Sequence, residues 1–205
     1  METPYDYPRL LKMVVRRGRQ LYGPAFHIAE EDSPVLRRLL CWFLQDEAVA
    51  KGEGICLHKG ILLAGPVGCG KSAIMRVFQS LCDKALQFAI KPCTAVELEF
   101  AAEGYDVIHR YAHRSLYRYG CPRAVCFDDL GFESNVNYFG NNYNVMLKIL
   151  AHRYELLVEQ GLVTHATTNL DSAEMEARYG SRLRSRMRQM FNLVAFPHTS
   201  RDKRI

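Results

Sequence analysis

The stretch Gly65-Pro66-Val67-Gly68-Cys69-Gly70-Lys71-Ser72 constrains this chain more than any other. It has the form G-x-x-x-x-G-K-S, follows the apolar run Ile61-Leu62-Leu63-Ala64 and precedes Ala73-Ile74-Met75-Arg76-Val77-Phe78. That context predicts a buried strand, a glycine turn and a helix beginning at the lysine, the arrangement of a phosphate-binding P-loop. Glycines let backbone N–H groups converge on an anion, and the head of the helix adds its positive end. Lys71 is then expected at the β- and γ-phosphates of ATP and Ser72 at a Mg²⁺ position, with all eight residues, Gly65 to Ser72, as candidate nucleotide contacts. The bare pattern arises by chance in on the order of one chain per hundred of this length. The flanking strand and helix make coincidence rarer still. The competing reading, a glycine-rich turn that binds nothing, is set aside on that arithmetic.

Length and composition bound the rest. The 205 residues, 48% of them hydrophobic, fit one α/β domain with a short extension. The net charge of +5 permits an anionic partner without requiring one. Seven cysteines at 41, 56, 69, 82, 93, 121 and 126 form no C-x-x-C pair, so neither zinc nor a disulfide framework is indicated and a reducing, cytoplasmic setting is expected. Met1 to Pro8 is not expected to act as a signal peptide, and no apolar run is long enough to cross a bilayer, so no membrane partner is expected.

Along the chain, residues 1–30 carry three prolines, two glycines and Lys12, Arg16, Arg17 and Arg19, and read as a basic extension with one short helix. Residues 31–205 read as the core domain. Ser33-Pro34 opens a helix whose Val35, Leu36, Leu39, Leu40, Trp42 and Phe43 recur on one face. The phosphate-binding strand is expected over 60–64 and a second over 87–90, stopped by Lys91-Pro92. Thr94 is expected to cap a helix over 95–102 that Gly104 ends, and 105–119 is expected to form another. Further strands are expected over 124–127, 162–167 and 192–196, with a periodic helix over 143–159 ended by Gly161. Strands alternating with helices imply a five-stranded parallel sheet covered by helices on both faces.

The run Ala124-Val125-Cys126-Phe127-Asp128-Asp129 is apolar and ends in two carboxylates. Carboxylates at the C-terminal end of a buried parallel strand emerge on the edge where α/β sheets bind ligands. Asp128 is the expected Walker B partner of Mg²⁺, with Ser72, and Asp129 the expected base for an attacking water. The plainer alternative is a helix-capping pair ahead of Leu130-Gly131.

These segments, with Cys126 to Gly131, Arg153-Tyr154-Glu155, Thr167-Thr168-Asn169-Leu170 and Tyr179 to Arg186, occur in an order that resembles the AAA+ ATPases of the DnaC and IstB group. These are helicase loaders and transposition-helper ATPases, and the resemblance covers roughly residues 20–200. It implies an AAA+ core with strand order 5-1-4-3-2, Mg²⁺-dependent ATP hydrolysis, ATP-dependent homo-oligomers, a DNA partner, and a helicase or transposase as protein partner. It also implies that Asn169 is the sensor 1 residue, Arg186 the arginine finger reaching a neighbouring subunit, and Arg182 its support. Without the resemblance, Asn169 reads as a loop or cap residue and Arg182 to Arg188 as a solvated basic face. No C-terminal lid domain is expected after the fifth strand, a departure from AAA+ proteins at large.

Arg110, Arg114 and Arg118 recur every four residues beside Tyr111 and Tyr117, so Arg110, Arg114, Tyr117 and Arg118 are candidate DNA contacts. A solvated amphipathic helix is the plainer alternative. Two functional classes fit the whole: an oligomeric DNA-associated ATPase, and a small-molecule P-loop kinase with 182–188 as its lid. The Asp128-Asp129 and Thr168-Asn169 strand ends favour the ATPase.

Overall fold

The computed structural model describes residues 3–112 and 123–203. In chain order its helices and strands are α1 (Tyr7–Tyr22), α2 (Ser33–Phe43), α3 (Glu47–Glu53), β1 (Gly60–Ala64), α4 (Lys71–Leu81), β2 (Phe88–Pro92), α5 (Cys93–Glu103) and α6 (Tyr105–Tyr111). They continue with β3 (Ala124–Leu130), β4 (Val136–Tyr138), β5 (Asn141–Tyr143), α7 (Val145–Gln160), β6 (Thr164–Thr168), α8 (Ser172–Met190) and β7 (Phe191–Ala195). The main sheet is parallel and five-stranded, in the order β2-β3-β6-β1-β7, and β4 and β5 form a separate antiparallel hairpin. The hairpin takes two labels that the expected 5-1-4-3-2 order did not allow for. Counted among the strands of the main sheet alone, the order is 2-3-4-1-5, which read from the other edge is the expected 5-1-4-3-2.

The chain divides into two compact units, residues 1–57, 63–87 and 193–205 in one, residues 58–62 and 88–192 in the other. In the first, the stripe Val35, Leu36, Leu39, Leu40, Trp42 and Phe43 is buried as its spacing requires, and Phe43 stacks on Phe78 of α4 with ring centroids 4.8 Å apart. The basic N-terminal stretch is taken up into this unit: α1 runs for 16 residues and packs against α4, burying Tyr7 and Val14. Ser33 is the first helical residue of α2 rather than its cap, and Asp32 precedes it.

The second unit gathers β3 and β6 with α5, α6, α7 and α8 around Phe100, Val125, Phe127, Met146, Ile149 and Leu183, all buried. Here several expected boundaries shift: β3, expected to end at 127, runs on to Leu130 and takes Asp128 and Asp129 into the strand. Strand β2 continues through Pro92, which sits in register with Asp128, because an edge strand tolerates a residue with no N–H to donate. Pro92, not Thr94, then precedes the helix, and α5 begins at Cys93. Helix α7 starts at the Asn144 cap, whose side chain accepts from the Leu147 N–H, and ends at Gly161 in the left-handed conformation. The helix expected over 105–119 ends at Tyr111, with Ala112 already at non-helical φ -103° and ψ -97°, and 113–119 lie outside the described residues. Among the described residues, no helix is long and apolar enough to cross a membrane.

Candidate functional site

The P-loop is built from backbone. β1 ends at Ala64, and α4 begins at Lys71, as the sequence spacing requires. Gly68 and Gly70 stand at φ of 80° and 99°, a region that side-chain-bearing residues rarely enter, and Gly70 caps α4. Lys71 is 5% exposed, and its ammonium donates to the carbonyls of Gly65 (2.9 Å) and Pro66 (2.8 Å), folding the cation back over the loop. Cys69 lies beneath it, its thiol pushed up by burial and only partly relieved by the Lys71 charge. Ser72 is half-buried in the first turn of α4.

The chain after β7 returns to this loop. The Phe196 N–H donates to the Ala64 carbonyl (2.9 Å) and the Lys203 N–H to the Gly68 carbonyl (3.0 Å). The Asp202 carboxylate lies against the bare Cα of Gly68, in the space a β-carbon would fill. Lys203 forms an ion pair with Asp32, which is 1% exposed and also accepts from the Ser200 hydroxyl (3.3 Å). A loop that seats one of its own chain's carboxylates beside a glycine, with a lysine over it, fits the phosphates of a nucleotide.

The carboxylate end of β3 is built from side chains. Asp128 is 6% exposed and its Oδ1 accepts from the Thr167 hydroxyl of β6 (2.7 Å). The same hydroxyl accepts from the Asp129 N–H (2.9 Å), so one threonine holds both acidic residues. The β3–β6 register shifts between Phe127 and Leu130, and Asp129 sits in that irregularity at φ 57°, where Asp is tolerated better than most residues. Beyond it, the Thr168 hydroxyl donates to the Leu130 carbonyl (2.7 Å). Asp128 and Ser72 both offer the oxygen donors that Mg²⁺ takes. Asn169 is exposed just past the end of β6; the cap of α8 is Asp171, whose side chain accepts from the Ala173 and Glu174 N–H groups.

A buried cluster went unread in the sequence. Glu133, 3% exposed, accepts from the Gly131 N–H (2.8 Å), the Tyr179 hydroxyl (2.5 Å) and Arg178 Nε (3.2 Å). Burial and this carboxylate push the Tyr179 hydroxyl well above its usual range. Both Glu133 oxygens therefore serve to tie the turn after β3 to α8. The next residue, Gly180, breaks α8 at φ 78° and ψ 158°. Past the break, Arg182 is exposed, Arg184 pairs with Glu176 (2.9 Å), and the Arg186 guanidinium lies 4.8 Å over the Tyr154 ring.

Arg153 of α7 is wholly buried and donates to Thr164 Oγ1 (2.6 Å) and to the carbonyls of Tyr111 (2.9 Å), Arg123 (3.3 Å) and Val163 (3.3 Å). Burial pulls its pKa down to about 9, which leaves it charged at neutral pH. Of the candidate DNA contacts, Arg110 is held by Glu99 (3.2 Å) and Glu103, and the Glu103 hydrogen bond raises its pKa. Arg114, Tyr117 and Arg118 lie outside the described residues.

No protein-family model and no curated protein matches the sequence. Solved structures do match. The fold is similar to the crystal structure of the DnaC helicase loader, with a TM-score of 0.55, 15% identity and coverage of 85% of this chain and 95% of that one. DnaI gives a TM-score of 0.55 at 17% identity, over 91% and 94% of the two chains. AMPPCP-bound DnaA from Aquifex aeolicus gives 0.50 at 16% identity, over 83% of this chain and 48% of that one. The parallel five-stranded sheet and these three likenesses make the fold that of the DnaC helicase loader, DnaI and DnaA structures.

Proposed function

We propose that this chain binds MgATP in the Gly65–Ser72 loop and hydrolyses it in an assembly of its own copies, in association with DNA. The observation that carries the reading is the loop itself. Its glycine turn, its lysine and the serine at the head of α4 are the groups that nucleotide phosphates require. One similar fold is a helicase loader and another holds AMPPCP, which supports ATP as the nucleotide and a helicase as protein partner.

In this reading Ser72 and Asp128 hold Mg²⁺, which would offset phosphate charge when bound. Asp129 orients the attacking water and accepts its proton, and Asn169 steadies that water. Arg186, supported by Arg182, serves the nucleotide of a neighbouring copy, because a planar, permanently charged fork suits charge that develops on a phosphoryl group. To do so it leaves the Tyr154 ring on which it now rests.

The test is a mixing experiment. Arg186→Ala should bind ATP nearly as the natural protein does and turn it over poorly, since it lacks only transition-state contacts. Lys71→Ala should bind no nucleotide yet carry an intact Arg186. Activity that returns when the two are mixed marks an arginine acting between chains. Turnover in the mixture no higher than in Arg186→Ala alone, at concentrations where the chains associate, rejects it.

A further inference from the structure

Helix α1 carries a second feature that nucleotide chemistry does not use. Arg9, Lys12, Arg16 and Arg19 follow one another at intervals of three, four and three residues, which puts them on one face of the helix. All four are exposed, and α1 contains no acidic residue. Among the described residues none of the four forms an ion pair; the nearest thing to a partner is the Phe26 carbonyl, which accepts from Arg19 Nε at 3.2 Å. Arg110 shows the opposite arrangement, a guanidinium held by two carboxylates of the chain. Arg17, off this face, is occupied by Ser80 and Gln20.

Beside the stripe runs a groove of about 700 Å³, lined on its apolar part by Leu11, Val15, Pro24 and Ile28. Lys12, Arg16 and Arg19 line it as well. Cations set along an apolar groove fit a particular kind of partner. A nucleic acid would meet the cations with its phosphates, but its bases stack on aromatic rings, and among the described residues no aromatic side chain lines this groove. An amphipathic helix with acidic flanks uses both features, placing apolar residues from successive turns in the groove and carboxylates against the stripe. The stripe runs over eleven residues, about 15 Å or nearly three helical turns, which sets the length of partner helix it can meet.

We propose that the α1 groove is a docking surface for an acidic amphipathic helix of another protein. This surface is independent of the nucleotide reading and stands or falls without it.

The probe is a fluorescein-labelled synthetic peptide of about five helical turns, with leucines at i, i+3 and i+7 spacing and glutamates flanking them. It is titrated into the full chain and followed by fluorescence anisotropy. Controls are a scrambled peptide of the same composition and a labelled oligothymidine of about 16 nucleotides. The patterned peptide should bind about tenfold or more tightly than the scrambled one. The double variant Arg16→Glu, Arg19→Glu should lose that preference and bind instead the peptide in which lysines replace the glutamates. Equal binding of patterned and scrambled peptides overturns the proposal. So does a charge-reversed variant that loses affinity for the oligonucleotide alone, which would assign the surface to nucleic acid. A peptide carrying a photoreactive leucine gives a second readout on the unaltered chain. Cross-links within residues 9–33 support the site, and cross-links elsewhere reject it.

Discussion

The phosphate loop and the carboxylate end of β3 are opposite solutions to placing charge. The loop is eight consecutive residues whose geometry comes from backbone: glycine φ values, carbonyls that hold Lys71, a helix head at Ser72. The carboxylate end is assembled from side chains distant in sequence. Thr167 joins Asp128 and Asp129 from 39 and 38 residues away, and Tyr179 reaches Glu133 across 46. A contiguous backbone device can lose a side chain and keep its shape. A dispersed side-chain device holds the fold and positions the acids with the same bonds, so an injury there should affect stability and chemistry together.

The sharpest break is Lys71→Ala. If Lys71 binds the phosphates as proposed, losing its cation should weaken ATP binding by a hundredfold or more, about 3 kcal/mol. The melting temperature should move by only a few degrees, since two hydrogen bonds to loop carbonyls are lost. Titration with a fluorescent ATP analogue, beside a thermal melt, checks both. A collapse in melting temperature would mean the loop is not a self-supporting backbone device.

Next in size is Asp129→Asn. Asparagine tolerates the left-handed φ of 57°, so fold and ATP affinity should hold while single-turnover hydrolysis falls about a hundredfold. A natural rate in this variant removes Asp129 from the chemistry, and Glu133 offers no substitute, because its oxygens are already engaged.

His165 provides a test by pH. It is fully buried in β6, and its Nδ1 accepts the Ile61 N–H (3.1 Å), which requires a neutral ring. Burial, then the Arg153 charge, lowers its pKa to about 3. The unfolded ring takes a proton near its ordinary pKa of about 6.5 and the folded one only near 3, so the unfolded state binds more protons between them. Stability present above the upper value is therefore lost as pH falls through that window, at up to about 1.4 kcal/mol per pH unit. Urea unfolding across the window should show this slope, and His165→Gln should flatten it.

The smallest effect is the most discriminating. Thr167→Val keeps the shape of the side chain and removes the hydroxyl that joins the two acids. It should cost about 1–2 kcal/mol in stability and lower turnover with it. Thr167→Ser should restore both. Lowered stability with unchanged turnover would separate what the comparison joins.

The same contrast explains what could be read in advance. The loop, the β1–α4 boundaries and the Asp128-Asp129 strand end are local patterns, and local patterns survive in a single sequence. The β4–β5 hairpin is two three-residue strands in an Asn- and Tyr-rich stretch, too short for periodicity to register. Helix α1 was expected to be short because its charged residues mask the few that are buried. Nothing local in the sequence marks Glu133, since its partners Arg178 and Tyr179 lie far along the chain. Arg153 stood in a recognised segment, but nothing local reveals that four acceptors from three separate segments converge on it.

The break at Gly180 turns the second half of α8 into a lever with a fixed pivot. Arg178 and Tyr179 are fastened to Glu133 on one side, and Arg186 rides six residues out on the other. At helical rise that arm is about 9 Å long, so a swing of about 10° at the glycine carries the base of Arg186 through roughly 1.5 Å. Displacements of about 1 Å are enough to change a catalytic rate by about a hundredfold. In the proposed assembly, a hinge too small to alter the sheet would therefore switch Arg186 between resting on Tyr154 and serving a neighbouring copy, and a side chain on Gly180 would strain the pivot without touching either end.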